Sequence, residues 1–442
     1  MGGHSHYSEG YGPVGPAPSE HSVVYTTLHF DKPWSYENYL KTGGYSALRK
    51  ILEEKIEPAA VVEMVKASGL RGRGGAGFPT GIKLRTVAAA TGTPVVLANG
   101  SEGEPVSWKD KALMSAMPHL VLDGALHAAA AVAADEVVIA IERAATTAWR
   151  AMNWAIAERQ GREAMVAVRL VPVPAHYVAG EETALVQLVN GGPAKPTATP
   201  PRPFERGVAG RPTLVDNVET LAHLATVAQH GPNWFRQVGT ADEPGSVLVT
   251  VSGAVARRGV YEVALGTPFT EIVRMAGGAP NGVAALLVGG YYGAWISAED
   301  AAASTLSNAS LTKVGAAVGC GAIVVLPTGA CGVTETARLM RWFAGGTAGQ
   351  CGPCVHGLPA LAGVVESFAA GRPARDADAL LDRWSGQVDG RGGCRFPDGA
   401  VRLLRSARFV FADDFDRHRS GRACRAGTPL LPIPEPTEEP WR

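Results

Sequence analysis

The sequence of 442 residues predicts an α/β sandwich followed by a β-grasp-like module and a C-terminal helical bundle. Helical and strand-like segments alternate up to about residue 230, and short strands separated by glycines follow to about residue 327. Nearly every later segment has helical periodicity. The predicted boundaries are residues 33–238, 239–327 and 328–420, with tails at 1–32 and 421–442.

The first tail is rich in Gly, Pro, His and Ser and has no hydrophobic periodicity, so we expect it to be disordered. His4, His6 and His21 lie in it and are expected to be solvated side chains rather than metal ligands. The tail should contribute nothing to the folded core.

The α/β region alternates in a regular way along the chain. The predicted elements are a helix over 57–68, strands over 93–99 and 135–142, a helix over 144–159 and a strand over 164–173. The most apolar window, residues 120–142, contains Asp123 and His127, which favours a helix followed by a strand over a membrane span. The Pro-rich segment 193–204 should lie on the surface.

The later elements are shorter. Strands are predicted over 246–255, 259–265 and 285–290, with a helix over 267–278. Helices follow over 334–344, 358–370, 376–387 and 398–415. Cys351, Cys354 and Cys394 fall at turns of this predicted bundle.

Composition limits the classes of partner. The 41 Lys and Arg residues balance 41 Asp and Glu residues, so no overall field attracts nucleic acid or an anionic membrane. Six cysteines are too few for a disulfide scaffold, and no signal-peptide pattern is present. We therefore expect a cytoplasmic protein without a nucleic-acid partner, able to dock peripherally on the inner face of a membrane.

A glycine loop, GLRGRGGAGFPTG, spans residues 69–81. Closely spaced glycines allow backbone N–H groups to approach a phosphate or a ring system, and Arg71, Arg73 and Lys83 could add positive charge. A purely structural turn is the alternative. A Rossmann loop is disfavoured because the preceding segment has helical spacing rather than the pattern of a strand.

Three polar clusters accompany the loop: NGSEGEP at 99–105, YVAGEETAL at 177–185 and RPTLVDNVETL at 211–221. The first follows a predicted strand, and ligands of open α/β sheets bind at the carboxyl ends of strands. Each cluster taken separately could be a helix cap. Together with the glycine loop they predict one polar cofactor site.

These motifs, in this order and spacing, resemble those of the NADH- and FMN-binding iron–sulfur subunit of respiratory complex I and related diaphorases. Residues 252–278 resemble the SLBB β-grasp module of that family. The resemblance implies an FMN-binding α/β domain, with FMN held by Gly72, Gly74, Lys83, Asn99, Glu102, Tyr177, Gly180, Glu181, Asn217 and Thr220. It also implies that Phe78 stacks on the NADH adenine and that Glu104 and Glu182 contact the nicotinamide nucleotide.

The chain departs from the family pattern at four positions. Ser101 replaces an Asp, Asp216 replaces the first Asn of a pair, and Thr86 and Arg202 stand where some members have stacking phenylalanines. An Asp216 carboxylate would repel a flavin phosphate unless a basic group compensates. The choice between NADH and NADPH therefore stays open.

Residues 351–354 read Cys-Gly-Pro-Cys, the dithiol sequence of thioredoxins. A thioredoxin dithiol should follow a strand, whereas this pair follows a predicted helix. In the resembling family, four cysteines here hold a 4Fe-4S cluster. Cys351, Cys354 and Cys394 match three of them, and Ala348 replaces the first. A cluster with an atypical fourth ligand, a three-iron cluster, a dithiol and a structural remnant remain alternatives, with Cys331, His356 or solvent as substitute ligands.

The resemblance predicts an NADH dehydrogenase subunit that passes electrons from FMN through an iron–sulfur cluster to a partner protein. The expected partners are NAD(P)H, another iron–sulfur or ferredoxin-like subunit and a membrane-bound oxidoreductase. The alternative is a non-catalytic electron-transfer or assembly subunit of the same fold with a degenerate nucleotide site.

Overall fold

The computed structural model describes residues 12–14, 22–159, 166–424, 429–435 and 439–442. The first part of the chain is built from helices around a parallel sheet. Its elements are β1 (Pro13–Val14), α1 (Tyr36–Lys41), α2 (Ser46–Glu53), α3 (Pro58–Ser68), α4 (Thr80–Ala88), β2 (Val95–Gly100), α5 (Lys109–Ala116), α6 (Pro118–Val132), β3 (Glu136–Glu142), α7 (Thr146–Arg159), β4 (Ala167–Val173), α8 (Glu182–Val189), β5 (Thr213–Asn217), α9 (Val218–His230) and α10 (Pro232–Phe235).

Four of these strands form a parallel sheet in the order β4-β3-β2-β5. Strands β2 and β3 are apolar and nearly fully buried, as expected for parallel strands with helices on both faces. The predicted alternation of helices and strands is confirmed. Strand β5 was not predicted, because its short TLVDN sequence merges with the cap of α9.

Helix α6 lies at the centre of the first core and packs on α9. A Cβ built on Gly124 would lie 1.8 Å from the Leu221 carbonyl oxygen, so only glycine permits this close approach. The buried Asp123 accepts hydrogen bonds from the Tyr39 hydroxyl (2.6 Å) and the Tyr45 backbone N–H (2.9 Å). Among the described residues, no helix is both long and apolar enough to cross a membrane.

The second sheet has six strands in the order β1-β7-β6-β10-β8-β9. Its further elements are β6 (Ser246–Gly253), β7 (Gly259–Ala264), α11 (Phe269–Met275), β8 (Ala285–Val288), β9 (Ala294–Ser297), α12 (Ala298–Ala303), α13 (Asn308–Leu311) and β10 (Ala322–Leu326). Strand β10 pairs parallel to β6 and antiparallel to β8. The predicted β-grasp-like module is confirmed, with β9 and β10 as strands that the sequence pattern missed.

The expectation of a disordered tail over residues 1–32 is wrong for its described second half. Val23, Val24 and Tyr25 are buried, and their backbone N–H groups donate to the Glu262 carboxylate of β7 at 2.7 to 3.0 Å. One buried carboxylate satisfying three consecutive N–H groups ties this segment to the second sheet. His4, His6 and His21 lie outside the described residues.

The C-terminal part is a helical bundle, as predicted. Its helices are α14 (Gly332–Gly345), α15 (Leu358–Ala369), α16 (Ala377–Val388), α17 (Phe396–Val410) and α18 (Ala412–Arg419), with one π-helical turn at Pro353–Gly357. The predicted helix 398–415 is divided, because Phe411 leaves the helical region (φ −107°, ψ 29°). The chain end returns to the first domain, where the Trp441 ring stacks on His176 at 3.7 Å.

Candidate functional site

Polar side chains gather at the carboxyl ends of β2 and β5, where Asn99 and Asn217 are paired in register. The Asn99 amide donates to the Gly180 carbonyl (2.9 Å). The Asn217 amide donates to the Asn99 carbonyl (3.3 Å) and to Asp110 (2.7 Å). The structure therefore brings together residues from all three predicted polar clusters at one edge of the sheet.

The glycine loop connects α3 to α4 and is anchored at two points. The Gly72 N–H donates to the Phe78 carbonyl (2.8 Å), which closes the loop on itself. The Arg73 N–H donates to the Thr220 hydroxyl (2.8 Å) in the first turn of α9. Because the loop follows a helix, it is not the strand–loop–helix of a Rossmann site.

The open part of the loop lies against the strand edge. A Cβ built on Gly74 would lie 3.2 Å from Asn217 Cβ. Gly75 and Gly77 have positive φ angles of 111° and 61°, and a Cβ on either would meet no atom closer than 3.9 Å. Among the described residues, the N–H groups of residues 74–77 donate to no protein acceptor. These free donors suit an anionic ligand such as a phosphate.

The Arg73 side chain, which was expected to provide positive charge at the glycine loop, points into the protein interior. The Arg73 side chain is buried beside Glu219 and Glu243, and burial lowers its pKa while the two carboxylates oppose that effect. The expectation that Arg73 supplies charge to the cofactor is therefore wrong, since its guanidinium neutralises carboxylates inside the protein. Arg71 donates to the Gly77 carbonyl (3.2 Å) and stays partly exposed.

Lys83 compensates the unusual Asp216. Its ammonium donates to the Val215 carbonyl, next to the buried Asp216 carboxyl. Burial raises the pKa of Asp216, and the Lys83 charge opposes that shift. Asp216 Oδ2 has no partner among the described groups, so the site retains one buried oxygen able to interact with a ligand.

A buried charge network beneath the site was missed by sequence reasoning. Lys109 is 2% exposed, and its ammonium lies 2.8 Å from both Asp110 and Glu219 and 3.3 Å from the Asn217 side-chain oxygen. Burial raises the pKa of Asp110 to about 7 despite Lys109. Burial would also raise the pKa of Glu219, but Lys109 and His223 lower it to about 2. The adjacent residues Lys109 and Asp110, which follow the NGSEGEP motif, were the sequence feature that could have indicated this network.

The two glutamates of NGSEGEP have different surroundings. Glu102 accepts from the Ser107 hydroxyl (2.5 Å) and from the N–H groups of Asp110 (3.3 Å) and Lys111 (3.1 Å), so it braces the start of α5. Its carboxylate is therefore already engaged. Any contact with a cofactor would come from its backbone.

Glu104 is buried, and neither carboxylate oxygen accepts a hydrogen bond of ordinary geometry within the described structure, although the Tyr177 hydroxyl lies close to it. Burial raises its pKa to about 7, although the nearby N–H groups of Tyr291 and Val106 lower it in part. A Cβ on Gly290 would lie 2.6 Å from this carboxylate, so the turn after β8 must pass close by. An unpartnered buried acid of this kind is typical of a ligand site.

Tyr177 and Glu181 lie at the start of α8. Glu181 caps the helix by accepting from the Thr183 and Ala184 N–H groups at 3.0 and 3.1 Å. Burial, followed by the Glu104 charge, raises the pKa of Tyr177.

The mouth of the site carries an exposed aromatic ring and an ion pair. Phe78 is 51% exposed, which is unusual for a large apolar side chain and leaves its ring free to stack. Arg202 lies 3.9 Å from Glu182. Thr86 is exposed and donates to its own helix at the Ile82 carbonyl (2.9 Å).

The three matching cysteines come together at one end of the bundle. Burial and the neighbouring Cys351 and Cys394 thiols raise the pKa of Cys354. A Cβ on Gly349, Gly352 or Gly393 would meet no atom within 4 Å, so the surrounding turns leave room for a bulky group. The last described strand ends at Leu326, so the thioredoxin arrangement of a strand leading into the motif is absent from the described residues.

Cys331, one of the substitute ligands expected at the Ala348 position, does not join this group. Cys331 caps the opposite end of α14, about 20 Å away for a helix of this length. It lies instead beside His418 and Cys424. His356 is exposed.

An aromatic contact joins the two sites. The Tyr177 ring lies 5.4 Å from Phe396, which follows Cys394 by two residues, and 5.3 Å from Trp342. Burial and the nearby Glu181 charge also raise the pKa of Cys394. The free N–H groups of residues 74–77 fit the phosphate of a flavin nucleotide, and three clustered thiols in open turns fit an iron–sulfur cluster.

This combination of fold and site defines a flavin- and iron–sulfur-binding oxidoreductase subunit. Residues 65–226 match the Nuo51 FMN-binding domain, residues 248–290 the SLBB domain, and residues 334–418 the NADH-ubiquinone oxidoreductase-F iron-sulfur binding region. The chain is 35% identical to the second F-type subunit of NADH-quinone oxidoreductase from Rhizobium meliloti, over 87% of this chain and 94% of that protein. The chain belongs to the family of F-type subunits of NADH-quinone oxidoreductase.

Other relatives come from hydrogenases. NADP-reducing hydrogenase subunit HndC of Solidesulfovibrio fructosivorans is 29% identical, over 90% of this chain and 83% of that protein. A chain of the NAD+-reducing [NiFe]-hydrogenase in the H2-reduced state superposes with a TM-score of 0.73 and 29% identity. That match covers 83% of this chain and spans 63% of the hydrogenase chain. The expected FMN-binding and 4Fe-4S-binding regions are thus confirmed, and no finding supports the non-catalytic alternative.

Proposed function

We propose that this chain oxidises NADH at a bound FMN and passes the electrons through a 4Fe-4S cluster to another electron-transfer subunit. The observation that carries this proposal is the Tyr177–Phe396 contact, which places the polar sheet edge next to the three-cysteine turn. Bound flavin would supply the conversion of a hydride into single electrons. The protein residues bind the cofactors, orient NADH against the flavin and shield both from solvent.

The FMN site comprises Gly72, Gly74, Lys83, Asn99, Glu102, Tyr177, Gly180, Glu181, Asn217 and Thr220. The contacts suggest two roles within this set. The free N–H groups from Gly74 onward and the Lys83 ammonium face the ligand. Glu102, Glu181 and Thr220 have side chains engaged with the backbone, so they hold the loops that shape the site.

The NADH site comprises Phe78, Glu104 and Glu182. The exposed Phe78 ring can stack on an adenine, and Glu104 can accept from an amide group such as that of nicotinamide. Arg202 beside Glu182 adds a guanidinium that can lie on a ring or contact a 2′-phosphate. This guanidinium allows NADPH to serve as a second substrate.

Cys351, Cys354 and Cys394 are the proposed cluster ligands. Ala348 offers no donor side chain, so a cluster bound here would have three cysteine ligands from these positions, with solvent or His356 available as the fourth. The Ala348 carbonyl oxygen is already occupied by the Lys195 ammonium (2.9 Å). An incompletely ligated cluster should be sensitive to oxygen.

The relatives are named as subunits of NADH-quinone oxidoreductases and of a hydrogenase. By extension, the partner is an iron–sulfur or ferredoxin-like subunit of a larger assembly in the cytoplasm, peripheral to a membrane-bound oxidoreductase.

The proposal is tested on anaerobically purified full-length protein. FMN should be released on denaturation, iron and sulfide should be present, and NADH should bleach the flavin absorption. The Cys394→Ser variant should still be bleached by NADH but should lose the cluster signal. Failure to bind FMN after reconstitution, or no bleaching by either NADH or NADPH, would contradict the proposal.

A further inference from the structure

A second group of metal-ligating side chains lies at the far end of the bundle from the three-cysteine turn. It consists of Cys331 at the start of α14, His418 in the last turn of α18 and Cys424 in the segment after α18. Their ligand atoms all lie within 4.8 Å of one another. His418 is fully buried.

The spacing suits a single small ion. Zinc bonds of about 2.3 Å to sulfur and 2.0–2.1 Å to nitrogen, in tetrahedral geometry, separate ligand atoms by roughly 3.5–3.8 Å. Cys331 Sγ lies 3.3 Å from His418 Nε2. The ligand atoms lie within 4.8 Å of one another, so each pair is at most about 1 Å farther apart than tetrahedral zinc geometry requires.

The histidine is prepared as a ligand through Nε2. Its Nδ1 lies 2.8 Å from the Phe368 carbonyl, which can only accept, so Nδ1 carries the proton. The Cys424 N–H donates to Nε2 at 3.0 Å, so Nε2 carries the lone pair, and a bound ion would replace this hydrogen bond. A backbone carbonyl that fixes the histidine tautomer is the usual outer-shell support of a metal ligand.

The sulfur atoms are supported as well. Cys331 Sγ accepts from the Thr334 N–H (3.4 Å) and hydroxyl (3.2 Å) at the start of α14, which fixes the position of the sulfur atom. Cys424 Sγ lies 3.6 Å from the Arg417 guanidinium. Two cysteine sulfurs that release their protons on metal binding would balance the charge of a divalent cation.

We propose that Cys331, His418 and Cys424 bind Zn²⁺, with water in the fourth position, as a structural clamp separate from the iron–sulfur cluster. The clamp joins the start of α14, the end of α18 and the C-terminal segment. That segment continues to the buried Leu431 and to Trp441 on the first domain. The ion would therefore secure the return of the chain end to the flavin-binding part.

The test measures zinc and iron together in full-length protein equilibrated with Zn²⁺ and then gel-filtered. Wild type should retain about one zinc per chain. Cys424→Ser and His418→Gln should lose the zinc and keep the iron, whereas Cys351→Ser should lose iron and keep zinc. Cys320→Ser is the matched control, because this thiol lies outside both groups, and it should keep both metals.

A variant that fails to fold is identified by loss of bound flavin. In that case the wild type decides the question, since chelator treatment should lower its melting temperature and added Zn²⁺ should restore it. Wild type without retained zinc would overturn the proposal. So would a Cys331–Cys424 disulfide found by mass spectrometry in the reduced-buffer preparation, or equal loss of zinc from Cys320→Ser.

Discussion

Glu104 allows a quantitative test of the site, because it is a buried carboxyl that accepts no hydrogen bond of ordinary geometry among the described groups. The perturbation is Glu104→Gln, which keeps the shape of the side chain and removes its charge. Burial raises the pKa of Glu104 from 4.5 to about 7. In the unfolded chain the group should titrate near its ordinary value.

The direction in which stability changes with pH follows from the number of protons bound by the folded and the unfolded chain. Between pH 4.5 and 7 the unfolded chain has released this proton while the folded chain retains it, so stability falls as pH rises through this range. One pKa unit corresponds to about 1.4 kcal/mol, so the ionised carboxylate costs the fold about 3 kcal/mol above pH 7. For a domain of about 200 residues, that cost equals a fall in melting temperature of roughly 6–12 °C.

The assay compares thermal midpoints of wild type and Glu104→Gln at pH 5 and pH 8 without NADH. The midpoints should nearly coincide at pH 5, whereas at pH 8 the variant should melt higher by roughly 6–12 °C. Taking the difference between the two proteins cancels the other titrating groups. Glu63→Gln is the control, since Glu63 is 59% exposed and its loss should change neither midpoint.

A difference between wild type and variant that is equal at both pH values would refute the reasoning. It would mean that ionisation of the Glu104 carboxyl does not destabilise the folded protein. A variant less stable at pH 8 would show instead that the charge is satisfied by a group the structure does not reveal.

The other predictions concern the cofactors. Gly74→Val should abolish flavin retention, because its Cβ would already lie 3.2 Å from Asn217 Cβ and its two methyl groups would enter the space where the loop borders the site. Flavin absorbance equal to wild type would remove the loop from the site. Ala348→Cys should raise iron and sulfide retention after aerobic purification, because it supplies a fourth thiolate. Cys394→Ser should eliminate the EPR signal of the cluster. Unchanged metal content in both variants would favour the dithiol or remnant alternatives. Arg202→Phe should lower the KM for NADH by about fivefold, which is the equivalent of about 1 kcal/mol of stacking. It should not lower the KM for NADPH. No change in either KM would place Arg202 outside the site.

The sequence by itself determined the features that depend on local pattern. The alternation of apolar segments predicted the parallel sheet and the helices around it, because a buried strand or an amphipathic helix carries its period in its own residues. The glycine loop and the polar clusters predicted one site, since residues that leave parallel strands must meet at one edge. Asn99, Gly180 and Asn217 do meet there.

Only the tertiary structure decided which side chains face the site and which serve the core. Arg73 lies within the glycine loop yet turns inward to Glu219 and Glu243, a choice made by carboxylates more than 140 residues away. Cys331, His418 and Cys424 are separated along the chain and share no motif. They come together because of the way α14 and α18 pack. Such packing depends on contacts between segments far apart in the sequence, which the periodicity of a single segment does not reveal.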